Sequence, residues 1–300
     1  MPARLLTLGL LLSIAVLGVQ VAGSASAAAR VGGPGSRAVP PVGELEMTAM
    51  GEVLPPRLPR IVAAPAAVRL GFTSAAGDGA ATPDLAGIEI DLSRNVTLRT
   101  EGLPSCSLAK LYSTAASALH SCAASLVGRG RVSSEVAPTG EAPVTIDGRL
   151  RAFYAFANGR PRILAQVTSG APLPLTYVIP FEIGKADGLY GTSLVVPKMS
   201  RIQGQCRAAY SSCFHNPYAL ADAYGRISRL EMSLHRRFAG SRGRQSVVRA
   251  TCPAPGGRTA ATFPVARVEL GYRDGSQASG VANHSCRVVH PPRPPSGADR

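Results

Sequence analysis

Two residue patterns in this chain have the spacing that enzyme chemistry requires. Ser107 and Lys110 form an S-x-x-K pattern, in which a helix places a lysine amine beside a serine hydroxyl for acyl transfer. The companion S-D-N and K-T-G elements are missing from the sequence, so we expect an ordinary helix start capped by Ser105 or Ser107. Glu89 and Asp91 share one face of a predicted strand, at about the spacing of a glycosidase carboxylate pair. Because they alternate with isoleucines, we interpret them as a solvated strand face.

The six cysteines could serve as metal ligands or as disulfides. Cys206, Cys213 and His215 could supply three zinc ligands, but a fourth ligand is not evident. An exported chain meets an oxidising compartment, which favours disulfide bonds over zinc. The order of the cysteines suggests three local pairs, although six cysteines allow about 15 pairings. The predicted pairs are Cys106–Cys122, Cys206–Cys213 and Cys252–Cys286.

The sequence carries no further signature of catalysis or of a bound cofactor. It contains no H-E-x-x-H, no G-x-S-x-G, no phosphate-binding loop and no dinucleotide fingerprint. We therefore predict no catalytic, cofactor-binding or metal-binding residues and no cofactor. The disulfides are the only site residues that we assign, and we favour a protein that is not an enzyme.

The chain begins with a segment typical of a secretory signal peptide. Arg4 is the only charge before residue 30, residues 5–21 are almost wholly apolar, and Ala25-Ser26-Ala27 provides small residues for cleavage. An uncleaved membrane anchor is the alternative, because the apolar run approaches the ~18 residues that can span a bilayer. We assign residues 1–29 to the signal peptide and expect a secreted or extracellular protein, with association to the cell envelope left open.

The rest of the chain divides into three parts. Residues 30–60 are rich in Gly and Pro and predict an extended linker. Residues 61–289 predict a single β-rich domain, within which residues 199–225 form an excursion from the sheet. Residues 290–300 are Pro-rich and predict a disordered tail.

Alternation of apolar and polar residues predicts a mainly β domain. Many short strands with turn signals, together with one short disulfide-linked helix, favour an antiparallel β-sandwich or a partly open barrel. Hairpin turns are predicted at Asp147-Gly148, Asn158-Gly159 and Asp274-Gly275. Residues 227–238 fit both a strand face and a helical stripe, and we favour the strand because its neighbours are β.

The predicted helix lies between the first two cysteines. If residues 106–122 formed one straight helix, sixteen steps of ~1.5 Å would separate the two Cα atoms by roughly 24 Å, whereas a disulfide tolerates ~4.4–6.8 Å. The bridge and an unbroken helix are therefore incompatible. We predict that residues 106–112 run back over a shorter helix, which is capped near Ser113 or Thr114 and reaches about Leu126.

The net charge of +14 invites a nucleic-acid interpretation, since phosphate binding is driven by Lys and Arg. Only three of the 32 basic residues are lysines, and the arginines are widely spread. The one modest cluster consists of Arg236, Arg237, Arg242, Arg244 and Arg249. Aromatic residues make up only 5% and Trp is missing, which disfavours stacking on bases or sugars. We expect no specific nucleic acid, and we leave open attraction to an anionic envelope polymer or a lipid headgroup.

Several short segments stand in a characteristic order between residues 60 and 289. They are Gly102–Cys106 (GLPSC), Cys122 with Leu126–Gly130, Phe153–Gly159 (FYAFANG), Tyr190-Gly191, Cys252–Pro255, and Asp274-Gly275 with Cys286. In this order they resemble uncharacterised secreted proteins of high-GC actinobacteria. The resemblance implies a shared fold and brings no activity and no catalytic residues. The Cys206–Cys213 excursion departs from the pattern.

These observations predict a secreted, non-enzymatic protein that binds or decorates the cell envelope or another extracellular structure. The alternative is a small-molecule or lipid carrier with its ligand between sheets, and a hydrolase with a scattered site is less favoured. A basic surface stripe over a solid core would favour the binding protein. An enclosed apolar cavity would favour the carrier, and Ser, His and carboxylate side chains in one cleft would favour the hydrolase.

Overall fold

The computed structural model describes residues 45–77, 82–112, 114–136, 144–170, 176–199, 226–240 and 243–289. The predicted signal peptide, the predicted tail and the Cys206–Cys213 pair with His215 lie outside the described residues.

The described chain is mainly β, as predicted. The first eight strands are β1 Leu45–Leu54, β2 Arg57–Leu58, β3 Ala64–Ala76, β4 Leu85–Ser93, β5 Val96–Leu98, β6 Leu126–Val136, β7 Val144–Ala157 and β8 Arg160–Thr168. The other eight are β9 Thr176–Gly184, β10 Tyr190–Val196, β11 Arg226–Leu234, β12 Arg237–Gly240, β13 Gly243–Ser246, β14 Val248–Ala250, β15 Ala260–Tyr272 and β16 Gln277–Val288. The helices are α1 Leu108–Leu111 and α2 Ala115–Cys122, and a 3-10 turn follows over Ala123–Ser125.

Fourteen of these strands form one sheet, in the order β2-β16-β15-β4-β10-β9-β8-β7-β6-β11-β3-β14-β5, with β1 paired to β3. All of the pairings are antiparallel except β2 with β16. Only Arg94 and Asn95 separate β4 from β5, although these strands stand far apart in the order. The sheet therefore curls back toward itself as a half-barrel, which confirms the partly open barrel among the two predicted architectures.

The concave side of the sheet holds one continuous hydrophobic core. Ile88, Ile90 and Leu92 alternate along β4 and are almost fully buried, which is the period-2 pattern of a strand with one apolar face. Phe72 and Phe181 are the largest fully buried side chains of this core. Side chains of the described strands thus pack against one another inside the half-barrel.

The two extremities of the sheet pack face to face. A Cβ atom at Gly51 of β1 would lie 2.3 Å from Cγ1 of Val265 and 2.8 Å from Cβ of Ala282. Only glycine permits so close an approach between β1 and the β15–β16 pair. The predicted linker over residues 30–60 is therefore wrong from Leu45 onward. Its weakly apolar alternation becomes a strand because β3 supplies a full set of backbone partners.

The segment between the first two cysteines forms a disulfide-linked helical insert, which we define as residues 106–125. The Cα atoms of Cys106 and Cys122 are 5.5 Å apart. Thr114 caps α2, since its hydroxyl accepts a hydrogen bond from the backbone N–H of Ser117 at 3.3 Å. The doubled-back path and the cap are both confirmed, and α1 is an additional short turn of helix.

Two of the three predicted hairpin turns are confirmed. Asn158 has a φ of 55° in the turn between β7 and β8, and Asp274-Gly275 joins β15 to β16. Asp147-Gly148 is not a turn, because β7 runs straight through it. A Cβ atom at Gly148 would lie 2.4 Å from Cγ1 of Val167, so close approach explains this glycine.

The remaining sequence predictions fall on the C-terminal half. Residues 227–238 are extended, in β11 and the start of β12, which confirms the strand. Cys252 and Cys286 form the predicted disulfide, with Cα atoms 5.7 Å apart. Two disulfides in the described chain point to an oxidising, extracellular environment. Within the described ranges, no helix has the length and apolar character needed to cross a membrane.

Candidate anion-binding face

Four arginines form a square on the convex side of the sheet. Strands β6 and β7 pair so that Arg129 lies opposite Arg151, and Arg131 lies opposite Arg149. Residues directly opposite each other, or two apart along a strand, project to the same face. Leu150 lies between the two arginines of β7, Val132 follows Arg131 of β6, and both are buried in the core. We call these four residues the arginine square.

The square is electrostatically unfavourable in the unliganded protein. Like charges directly opposite each other across an antiparallel pair destabilise the sheet. Burial lowers the pKa of Arg151, and the charges of Arg129 and Arg149 lower it further. Nη1 of Arg151 is buried and has no hydrogen-bond partner in the described part of the protein.

The neighbouring carboxylates are engaged elsewhere. Glu231 of β11 pairs in register with Arg131, but its carboxylate lies 3.2 Å from Arg229 and 3.6 Å from Arg69. Asp147 of β7 accepts a hydrogen bond from the Ser133 hydroxyl at 2.6 Å. No ion pair between described residues involves the arginine square. Within the described part of the chain, its four charges therefore have no carboxylate partner.

The helical insert forms a wall beside the square. Gln166 of β8 pairs in register with Arg151, is fully buried, and donates a hydrogen bond to the Leu111 carbonyl of the insert at 2.6 Å. Phe153, two residues beyond Arg151 on the same face, packs in a second hydrophobic cluster with Leu111 and Cys122. The insert thus covers the outer face of β7 as far as Phe153, and Arg151 lies next to the edge of the insert. This position accounts for the half-buried state of Arg151.

Paired arginines have the chemistry to recognise anions. A guanidinium group presents five N–H donors in a planar fork that matches the oxygens of phosphate and carboxylate groups. Each cross-strand pair brings two such forks to one anion. The two pairs lie two residues apart along the strands, which is about 6.8 Å, so two anionic groups can bind side by side.

A second charged cluster lies on the convex face of β4, β10 and β15. Arg267 donates to Oδ2 of Asp91 at 2.6 and 3.2 Å, and its guanidinium lies 5.1 Å from the Tyr190 ring centroid. Ser193 donates to Glu89 at 3.2 Å. Asp91 is only 1% exposed, so the interpretation of Asp91 as part of a solvated face is wrong. The ion pair with Arg267 compensates for the burial of the Asp91 carboxylate.

The charged groups of this cluster are paired with one another across the sheet. Burial raises the pKa of Glu89, and the charge of Asp91 raises it further. Asp91, however, is committed to Arg267 through an ion pair. No hydrogen bond or ion pair in the described chain brings a histidine to this cluster, so a base for Ser193 is lacking there. In the part of the chain that the structure describes, this cluster does not assemble the Ser, His and carboxylate combination that would favour a hydrolase.

The other residues singled out in the sequence have structural positions. Ser107 begins α1 without a side-chain cap, and it is exposed, as is Lys110. The predicted serine cap is therefore wrong for Ser107, and the Ser105 hydroxyl instead accepts a hydrogen bond from the Phe156 backbone N–H at 2.8 Å. Among described residues, no group of three or more His, Cys, Asp or Glu side chains could hold a metal ion.

Two clefts formed by described residues open directly to solvent. One of about 410 Å³ lies beside Arg57 and Arg287, and one of about 390 Å³ lies beside Pro65 and His235. Both are surface grooves and neither enters the core. They do not resemble the enclosed apolar cavity that a carrier requires.

In comparisons with protein-family models, curated proteins and solved structures, the chain has no match.

Proposed function

We propose that this chain is a secreted, non-enzymatic binding protein of the cell envelope, and that the arginine square holds a phosphate-bearing anionic polymer. The observation that carries the proposal is the placement of four guanidinium groups side by side without a carboxylate partner among the described residues. Such a patch lowers the stability of the free protein, so its presence is best explained by a ligand that neutralises it.

Phosphate is the preferred chemistry for three reasons. A phosphate group accepts more hydrogen bonds than a carboxylate, so it satisfies more of the donors on each arginine pair. An anion seated between Arg129 and Arg151 would accept hydrogen bonds from both guanidinium groups and would relieve their mutual repulsion. A polymer presents repeated anionic groups, which suits two arginine pairs about 6.8 Å apart.

Three further properties support an extracellular binding role over the alternatives. The two disulfides in the described chain and the signal-peptide-like N-terminus agree with export. The concave side of the sheet is filled by side chains, which disfavours a carrier that holds its ligand inside. The low aromatic content disfavours base stacking and therefore a nucleic-acid ligand.

The proposal is tested by titrating the protein with labelled inorganic polyphosphate at 0.15 M salt and following fluorescence anisotropy. The double variant R129Q/R151Q removes one arginine pair and should weaken the affinity at least about tenfold, the usual effect of losing charge-assisted hydrogen bonds. The control K198Q/R244Q removes the same charge from two exposed residues outside the square and should change the affinity less than about twofold. Equal losses in the two variants, or no binding by the unaltered protein, would refute the proposal.

A further inference from the structure

Many connecting segments of the half-barrel meet at one end of it, which we call the loop end. We define the loop end by residues 55–63, 94–95, 157–160, 185–189, 251–259 and 287–289. Strand register places them together. Tyr190 at the start of β10 pairs with Ser93 at the end of β4, and the start of β8 pairs with the end of β9.

Backbone hydrogen bonds tie these segments to one another. The Arg94 N–H donates to the Leu189 carbonyl at 3.1 Å, and the Thr251 N–H donates to the Asn95 carbonyl at 2.9 Å. The Cys252 N–H donates to Pro59, and the Val289 N–H donates to Leu58, both at 2.9 Å. The loop end is therefore a continuous surface rather than a set of unrelated turns.

Large apolar side chains are exposed at this surface. Seven large hydrophobic residues are exposed in the described chain, and five of them lie at the loop end or at the strand terminus beside it. They are Ile61 (86% exposed), Val62 (71%), Leu189 (69%), Phe156 (55%) and Val289 (43%). Exposed apolar residues grouped in this way mark an interaction surface.

Basic residues surround these apolar tips. The loop-end segments carry seven basic residues against one acidic residue, Asp187. The basic residues are Arg57, Arg60, Arg94, Arg160, Lys185, Arg258 and Arg287. Arg60 also donates to the Arg258 carbonyl at 2.6 Å, which holds the loop containing Ile61 against the neighbouring turn.

We propose that the loop end docks on an anionic lipid bilayer, with Ile61, Val62 and Leu189 entering the interface and the surrounding basic residues contacting the headgroups. Membrane surface binding combines buried apolar area with attraction of Lys and Arg to anionic lipid, and the loop end supplies both. The apolar residues stand on separate turns with basic residues between them. That mixture suits a fluid headgroup layer, which accommodates each tip individually.

This surface is separate from the arginine square. The loop end is built from turns at the termini of the strands, whereas the square lies on the convex face of β6 and β7. A protein that uses both surfaces would contact the membrane through the loop end and bind a polymer through the arginine square. Membrane docking is independent of polymer binding by the arginine square, so either proposal can fail while the other holds.

Vesicle sedimentation tests the docking surface. The exported protein should bind vesicles of 70% phosphatidylcholine and 30% phosphatidylglycerol at 0.15 M salt, and it should bind pure phosphatidylcholine at least about tenfold more weakly. The variant I61S/V62S should lower the partition coefficient at least about tenfold, because two exposed apolar side chains are lost. The control V281S removes an exposed valine from the middle of β16 and should leave binding unchanged. All three proteins share one N-terminus, so a retained leader cannot produce the difference.

Fluorescence gives a second and more local readout, because the chain contains no tryptophan. In V62W and L189W the single indole should shift to shorter wavelength when anionic vesicles are added, as its surroundings become apolar. The indole of V281W should not shift. Vesicle binding that is equally strong for both lipid compositions, or a shift in V281W as large as in V62W, would overturn the proposal. The variant R129Q/R151Q should retain vesicle binding, which separates a failure here from a failure of the polymer-binding proposal.

Discussion

Arg129 and Arg151 face each other directly across strands β6 and β7, with a second arginine pair beside them and no carboxylate between them in the described chain. A sheet ordinarily avoids like charges at opposed positions, since each such pair lowers its stability. Arg151 bears the largest cost because the helical insert half-buries it and leaves one of its N–H groups without a partner. The square thus has a cost in the free protein that a bound anion would remove.

The first prediction concerns that cost. Replacing Arg151 with Met keeps the aliphatic stem and removes both the like charge and the unsatisfied donor. We expect the free energy of unfolding to rise by about 1 kcal/mol, measured by urea denaturation without a ligand. The control R229M removes an exposed arginine that already lies 3.2 Å from Glu231 and should change stability by less than about 0.5 kcal/mol. A loss of stability in R151M larger than that in R229M would contradict the prediction.

The second prediction separates the roles of the two disulfides. C106A/C122A opens a 16-residue separation and C252A/C286A opens a 34-residue separation. Each should lower stability by roughly 3 kcal/mol, the second slightly more, in the chain-entropy view. Only C106A/C122A should also weaken polyphosphate binding, because only the insert forms the wall beside Arg151.

Stability is measured by denaturation and binding by anisotropy under conditions in which both variants remain folded. Unchanged polyphosphate affinity in C106A/C122A would show that the insert does not shape the square. Equal weakening in both variants would show that the effect is global.

The third prediction uses the raised pKa of Glu89. Its carboxyl group holds a proton more tightly in the folded than in the unfolded chain, because burial and then the charge of Asp91 disfavour the anion. The resulting stabilisation is present below the ordinary pKa of about 4.5 and is lost as the pH rises through the higher folded value.

E89Q should therefore unfold at higher urea than the unaltered protein at pH 7, and the difference should shrink as the pH falls below 4.5. The control is E269Q, which removes a carboxylate 3.3 Å from Arg267 and should show no gain at pH 7. An E89Q difference that is constant between pH 4 and pH 7 would argue against this assignment.

The fourth prediction tests the packing of the two extremities of the sheet. In G51A the new methyl group meets Val265 and Ala282 at distances too short for real contacts, so β1 must shift away from β15 and β16. We expect a loss of about 1–3 kcal/mol in thermal or urea unfolding. G271A, in β15, introduces the same methyl group where no atom lies within 4 Å and should be neutral or slightly stabilising. Equal effects of the two substitutions would mean that G51A acts through β-propensity rather than through packing.

Local chemistry was sufficient to predict several features. Alternation along residues such as Ile88, Ile90 and Leu92 indicated a mainly β chain, since period 2 follows directly from strand geometry. The length limit of a disulfide, compared with the rise of a helix, predicted the doubled-back path from Cys106 to Cys122 and the cap near Thr114. These inferences depend on neighbours that are close in sequence or on fixed covalent distances.

The features that the sequence did not reveal depend on partners far away in the chain. Leu45–Leu54 was assigned to a linker because residues 30–60 are rich in Gly and Pro. Pairing with β3 and packing against the β15–β16 pair make it a strand. Asp147-Gly148 has the composition of a hairpin turn, but Val167 on the neighbouring strand requires a glycine within a straight strand.

The arginine square combines features that follow from local sequence with features that depend on distant parts of the chain. The sequence by itself determined that Arg129 and Arg131, and likewise Arg149 and Arg151, share a face if their segments are strands, since they are two residues apart. It also determined a basic chain with little aromatic surface. Only the tertiary structure decided the register that opposes the two pairs and the placement of the insert against Arg151. Register depends on the whole buried face of each strand and on contacts with distant segments, so no local pattern around these arginines could specify it.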